Sequence, residues 1–188
     1  MKLSALYQIF LDCQSVTTDS RNCPDGSLFI ALKGESFNGN AFAKLALDSG
    51  CAFAIIDEAE YAVEGDKRYI LVDNCLQTMQ QLANYHRRQL GTRVIGITGT
   101  NGKTTTKELI SSVLCQAHNV LYTLGNLNNH IGVPLTLLAM TRDVEFGIVE
   151  MGASACGEIA LLCSIAEPNY GIVTNIGRAH LEGFGGPE

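Results

Sequence analysis

The chain has 188 residues, 46% of them hydrophobic and 17% charged, with a formal net charge of −6. These values describe a globular chain with room for one large or two small domains. They argue against broad nucleic-acid binding, which needs clustered cations, and no stretch approaches the roughly 20 apolar residues of a membrane span.

Residues 1–10 carry one cation and no small-residue cleavage site after a long apolar core, so no signal peptide is expected. The cysteines, Cys13, Cys23, Cys51, Cys75, Cys115, Cys156 and Cys163, form no C-x-x-C pair. Buried free thiols in a reducing cytosol are expected, and a zinc site is not.

Residues 3–11 read as a short amphipathic helix, followed by a hydroxyl-rich stretch from Ser15 to Arg21 and a Pro24-Asp25-Gly26 turn. A short strand is expected over 28–32, a loop over 33–40 and a helix over 41–49, with Gly50 as its C-cap. Strands follow at 52–56 and 69–72, then a helix over 75–89. This alternation predicts a small α/β domain over residues 1–90. The polar stretch from Arg87 to Arg93 marks the boundary, with Arg87, Arg88 and Arg93 read as a solvated helix end.

The second domain, 91–188, opens on the stretch around which the chain is organised. Val94, Ile95 and Ile97 predict a buried strand. Gly99 and Gly102 mark a glycine turn, and Leu109, Ile110, Val113, Leu114 and Ala117 predict a helix at 3.6-residue spacing. A strand, glycine loop and helix N-terminus form an anion site, because free N–H groups and the positive end of the helix dipole face the ligand. Lys103 adds a charge for the β- and γ-phosphates, and the Thr104 hydroxyl is placed for Mg²⁺. The pattern is the short G-x-x-G-K-T form, since Ile97 stands where the full phosphate loop has a glycine. Further strands are expected at 120–122, 146–151 and 170–176, and helices at 134–140 and 157–166. The sheet is expected to be mainly parallel, gathering Lys103, Glu150, Asn175 and His180 at or just after strand ends.

Three features carry candidate chemistry. Glu150 ends an apolar strand, where a carboxylate needs a metal, a cation or solvent. The loop from Gly125 to Pro134 holds Asn126, Asn128 and Asn129, suited to polar recognition or simply to turns. In the first domain, Thr18-Asp19-Ser20-Arg21 and Ser36-Phe37-Asn38 offer groups for a nucleotide, or capping turns.

These residues together resemble the Mur ligases, ATP-dependent amide-forming enzymes of peptidoglycan precursor synthesis. The resemblance rests on Thr98-Gly99-Thr100-Asn101-Gly102-Lys103-Thr104; on Thr18-Asp19-Ser20-Arg21 with residues 29–35; on residues 125–134; and on Ala179-His180-Leu181-Glu182-Gly183-Phe184-Gly185. It implies that the first domain binds UDP, with Ser20, Arg21, Ser36, Phe37 and Asn38 at the substrate. It implies ATP at Gly99, Thr100, Asn101, Gly102, Lys103, Thr104 and Thr105. Thr104 and Glu150 would hold one Mg²⁺ and His180 a second, so that Lys103, Glu150 and His180 serve catalysis. Asn126, Asn128 and Asn129 would lie near the muramoyl-peptide end.

The implied substrates are UDP-N-acetylmuramoyl-tripeptide and D-alanyl-D-alanine, joined through an acyl phosphate by a cytoplasmic monomer. The same resemblance implies that residues 91–188 are the first part of a P-loop ATPase domain and that the chain is an N-terminal fragment. A metal-site lysine, adenine contacts and an amine-binding domain would follow, so no turnover is expected from the chain alone. Alternatives are a ligase that adds the third amino acid, a folylpolyglutamate synthase, and a non-catalytic nucleotide-binding module.

Overall fold

The computed structural model describes residues 2–177, and the chain divides into two compact units, Met1–Leu82 and Ala83–Glu188. The first unit runs α1 (Leu3–Asp12), β1 (Val16–Thr17), β2 (Leu28–Ile30), α2 (Ala43–Asp48), β3 (Phe53–Ile56) and β4 (Tyr69–Leu71), and includes the start of α3 (Cys75–Leu90). Its sheet is parallel throughout, in the order β1-β2-β3-β4. Leu28, Phe29 and Ile30 are fully buried, as are Ala54, Ile55 and Ile56. Strands covered on both faces take continuous apolar runs, which is why these two were legible. β1 was not expected. It has only two residues, in a stretch where the Thr17 hydroxyl donates to the carbonyls of Asp19 and Asn22. α2 ends as expected, with Gly50 at φ +118°.

The second unit continues with β5 (Arg93–Thr98), α4 (Lys103–Leu114), β6 (Val120–Tyr122), α5 (Gly132–Leu138), β7 (Phe146–Glu150), α6 (Glu158–Ala166) and β8 (Tyr170–Val173). Its parallel sheet has the order β6-β7-β5-β8, with Ile97 of β5 opposite Glu150 of β7 and Thr98 opposite Val173 of β8. The carboxyl ends of the strands therefore lie along one edge, where ligands gather in open parallel sheets.

The division between the units falls inside α3 rather than at the expected 90/91 junction. The last turns of α3 are bound to the second unit: Asn84 donates to the Ser164 and Ile165 carbonyls and His86 to that of Met140. Arg87 is not a solvated helix-end residue. It is buried, and its guanidinium donates to the Ala166 and Glu167 carbonyls and to Asn169 Oδ1. Arg88 is exposed and pairs with Glu167, and Arg93 is exposed near the Phe146 ring.

The apolar stripe of α4 is only partly covered: Leu109 and Val113 are 63% and 69% exposed and Ile110 and Leu114 are half-buried, while Lys107 and Ser111 are buried. Spacing shows that a helix has an apolar face, not which neighbour the face meets. The thiols are not uniformly buried either. Cys51 and Cys75 are buried, whereas Cys115 and Cys156 are exposed. Among the described residues no helix is long and apolar enough to cross a membrane.

His86 makes the second unit sensitive to acid. It is 4% exposed, and burial holds its pKa below the ordinary value. A lowered folded-state pKa contributes stability that is complete above the unfolded value, about 6.5, and lost as pH falls through the folded one. Denaturant unfolding is expected to show falling stability below about pH 6.5. The His86→Gln variant should show a shallower decline, and an unchanged slope would remove His86 as its source.

Candidate active site

β5 delivers the chain into the loop Gly99 to Gly102, and α4 starts at Lys103. Gly99 stands at φ +135°, and a Cβ there would lie 2.1 Å from Thr174 Oγ1 and 3.0 Å from the Asn175 backbone. Only glycine fits that approach. Gly102, at φ +82°, caps α4 without a side-chain hydrogen bond. The first-turn N–H groups thus point outward with the positive end of the dipole, as an anion site requires. Lys103 Nζ donates to Gly99 O at 2.6 Å and to Thr100 O at 3.3 Å, folding the ammonium over the loop.

The segment after β8 holds this loop from the other side. Asn101 N donates to Asn175 Oδ1 at 3.0 Å, and Asn175 Nδ2 returns a bond to Asn101 O at 3.0 Å. Thr100 N donates to Asn175 O, and Thr174 Oγ1 to Asn101 O at 2.6 Å. Asn175 was expected near the site as a strand-end residue. Its grip on the loop backbone, and that of Thr174, needed the fold to be seen. Thr105 is exposed on the first turn of α4. His180 lies outside the described residues.

Beside the loop, Thr104 Oγ1 donates to Glu150 Oε2 at 3.0 Å. Glu150 is 2% exposed. Its other oxygen, Oε1, accepts from Asn128 Nδ2 at 2.9 Å, and its backbone N–H donates to Thr123 Oγ1 at 3.0 Å. A hydroxyl and a carboxylate facing each other are hard oxygen donors that suit Mg²⁺, which commonly takes its remaining positions from water and phosphate. No group of three or more His, Cys, Asp or Glu residues that could hold a metal occurs among the described residues.

The asparagine loop divides its labour. Asn128 reaches the carboxylate. Asn129 Oδ1 accepts from Ile131 N and Gly132 N, capping the start of α5. Asn126 is exposed, and its carbonyl accepts from Asn128 N at 2.8 Å. A cavity of about 370 Å³ opens between this loop and the segment after β7, lined by Lys103, Asn128, His130, Ser154, Glu158 and Leu162. Backbone N–H groups of Ser154 and Ala155 bind the Glu158 carboxylate and hold its pKa below the usual range.

In the first unit, Arg21 clamps Asp19 with bonds of 2.9 and 2.8 Å, which hold that carboxyl at about 2. Ser20 is half-buried beside them. Ser36 and Phe37 are exposed in a turn closed by the Lys33–Asn38 bridge. Asn38 serves the framework: Oδ1 accepts from Asn40 N, and Nδ2 donates to Glu58 Oε2 at 2.6 Å. Lys33 completes the frame through Asp57 at 3.0 Å and Glu58 at 2.8 Å.

Comparison with known proteins gives this arrangement a lineage. Residues 12–87 match the family model "Mur ligase family, catalytic domain", and residues 97–188 match "Mur ligase middle domain". The chain belongs to the Mur ligase family. It is 47% identical over 173 residues to the UDP-N-acetylmuramoyl-tripeptide–D-alanyl-D-alanine ligase of Bacillus subtilis, covering 92% of this chain and 38% of the relative. The Escherichia coli enzyme of the same name is 41% identical over 171 residues, covering 91% and 37%. The chain thus spans less than two fifths of the length of these Mur ligases. A crystal structure of MurF from Acinetobacter baumannii superposes with a TM-score of 0.86 at 34% identity, over 98% of this chain and 43% of that one. MurF from Thermotoga maritima, solved in complex with ADP, gives 0.80 at 34% identity, over 92% and 39%.

Proposed function

We propose that the chain supplies the UDP-substrate unit and the nucleotide loop of an ATP-dependent ligase that joins D-alanyl-D-alanine to UDP-N-acetylmuramoyl-tripeptide. The observation that carries this reading is the meeting of Thr104 with the buried Glu150 beside the loop at the start of α4. The high identity to ligases of that name supports the choice of substrates.

In this reading the first-turn N–H groups of α4 and Lys103 bind the ATP phosphates, and Thr105 lies at their edge. Thr104 and Glu150 hold a Mg²⁺ ion, which when bound neutralises charge on the transferring phosphoryl group. Asn128 keeps the Glu150 carboxylate in place, and the cavity beside Lys103 receives the peptide end of the substrate. The tripeptide carboxylate attacks the γ-phosphorus, releasing ADP and leaving an acyl phosphate. The amine of D-alanyl-D-alanine then displaces phosphate to form the amide. The protein's task is alignment and charge neutralisation rather than covalent chemistry. In the first unit, Ser20, Ser36 and Phe37 face the UDP moiety, while Asp19–Arg21 and Asn38–Glu58 shape their loops.

Calorimetric titration tests the two parts separately. The chain is expected to bind UDP-N-acetylmuramoyl-tripeptide, and independently ATP with Mg²⁺. A folded chain that binds neither the UDP substrate nor UDP would overturn the assignment of the first unit.

A further inference from the structure

Lys107 has no task in the reading above, yet it is 2% exposed. A buried ammonium is retained only where partners compensate its lost hydration. Its Nζ donates to Thr123 O at 2.7 Å, lies 3.1 Å from Glu108 Oε1 and 4.0 Å from Glu150 Oε2, and sits 5.7 Å from the centre of the Tyr122 ring. Glu108 is largely solvated, with its side chain 57% exposed, so water screens that pair. Glu150 is not solvated, and the 4.0 Å approach takes place where both side chains are 2–3% exposed. The two are also tied to one residue: Lys107 binds the carbonyl of Thr123, and Glu150 N–H binds its hydroxyl.

This pairing alters what the site offers a cation. A buried carboxylate with a hydroxyl beside it would attract a divalent ion by itself. Here the neighbouring ammonium cancels the carboxylate charge, and Lys103 adds a second positive group at the loop. Without phosphate, Lys107 and Lys103 balance Glu150 and the solvated Glu108, so the immediate surroundings of Glu150 offer Mg²⁺ no excess of negative charge. The nucleotide brings that charge with it.

We propose that Lys107 is a positioning residue that neutralises Glu150, so that the divalent cation enters the site only together with the nucleotide phosphates. The proposal rests on the reading of Thr104 and Glu150 as the metal site. Lys107 thereby ties metal binding to ATP binding and keeps the site from retaining a metal between turnovers.

The test uses Mn²⁺ as the probe, read by electron paramagnetic resonance on the 188-residue chain. The unaltered chain is expected to bind Mn²⁺ with ATP and to show no saturable Mn²⁺ binding without it. Lys107→Met is expected to gain nucleotide-free Mn²⁺ binding at least about tenfold tighter than the unaltered chain. Adding Glu150→Gln should abolish the gain, and Lys107→Arg, which keeps the charge, should show none. Circular dichroism establishes that each variant is folded. Tight nucleotide-free Mn²⁺ binding by the unaltered chain overturns the proposal, and this arm needs no variant. So does a folded Lys107→Met chain with unchanged Mn²⁺ affinity. If the unaltered chain binds Mn²⁺ neither alone nor with ATP, the metal site itself is lost, which separates failure of that reading from failure of the role given to Lys107.

Discussion

Replacing Lys103 with alanine is expected to weaken ATP–Mg²⁺ binding by on the order of 100-fold while leaving affinity for the UDP substrate unchanged. An ammonium bound to phosphate oxygens makes charge-assisted bonds of about 1.5–3 kcal/mol each, and losing their combined contribution of about 3 kcal/mol corresponds to that factor. The loop also loses a fastener, because the Lys103 ammonium holds the Gly99 and Thr100 carbonyls. The fold should survive. Gly99 stays packed against Thr174 and Asn175, and the paired bonds between Asn101 and Asn175 remain. Calorimetry with each ligand in turn checks the result. Equal loss of both affinities would mean that the two ligands do not occupy separate sites.

The largest structural effect is expected at Arg87. Arg87→Leu keeps much of the buried volume but removes three hydrogen bonds, leaving the Ala166 and Glu167 carbonyls at the end of α6 without that donor. Unsatisfied buried acceptors cost about 1–3 kcal/mol each, so a loss of about 3 kcal/mol is expected. For a chain of this size that lowers the melting temperature by roughly 6–12 °C. The damage extends further because Asn169 Oδ1, which accepts from Arg87, also accepts from Val94 N in β5. Arg87 thus steadies the residue that joins the α6–β8 connection to the central strand. Arg88→Leu removes an exposed pair with Glu167 and should cost no more than about 1 kcal/mol. Thermal unfolding of the two variants side by side checks the contrast, and equal losses would return Arg87 to the solvated role that its sequence neighbours suggest.

The α/β class, the parallel sheets and most element positions were legible because buried parallel strands leave continuous apolar runs. The same holds for Val94 to Ile97 leading into Gly99. Glu150 could be singled out because a carboxylate closing such a run demands an explanation. Other features were hidden for physical reasons. β1 is two residues long and borrows its order from pairing with β2. Arg87, Arg88 and Arg93 have the same chemistry in sequence, and only the tertiary fold decides which is buried. Asn128 and Asn129 are adjacent and identical, yet one reaches Glu150 and the other caps α5. Lys107 looks like any helix lysine until α4 is laid on the sheet with that face inward.

The order of strands in the two sheets has a consequence for how the chain acquires its structure. In the first unit, spatial order follows chain order, so each new strand can add to an existing edge. In the second, β5 is made first but sits between β7 and β8, whose partner residues lie about 50 to 75 positions later. Pairings of such separation form slowly because long loops must close before contacts reward them. A growing chain that emerges from the ribosome amino end first can therefore finish the first unit while β5 still has two open edges. The loop from Gly99 to Gly102 gains its shape last, when Thr174 and Asn175 arrive to hold it. Until then an apolar strand with free edges is the part of the molecule most exposed to pairing with other chains.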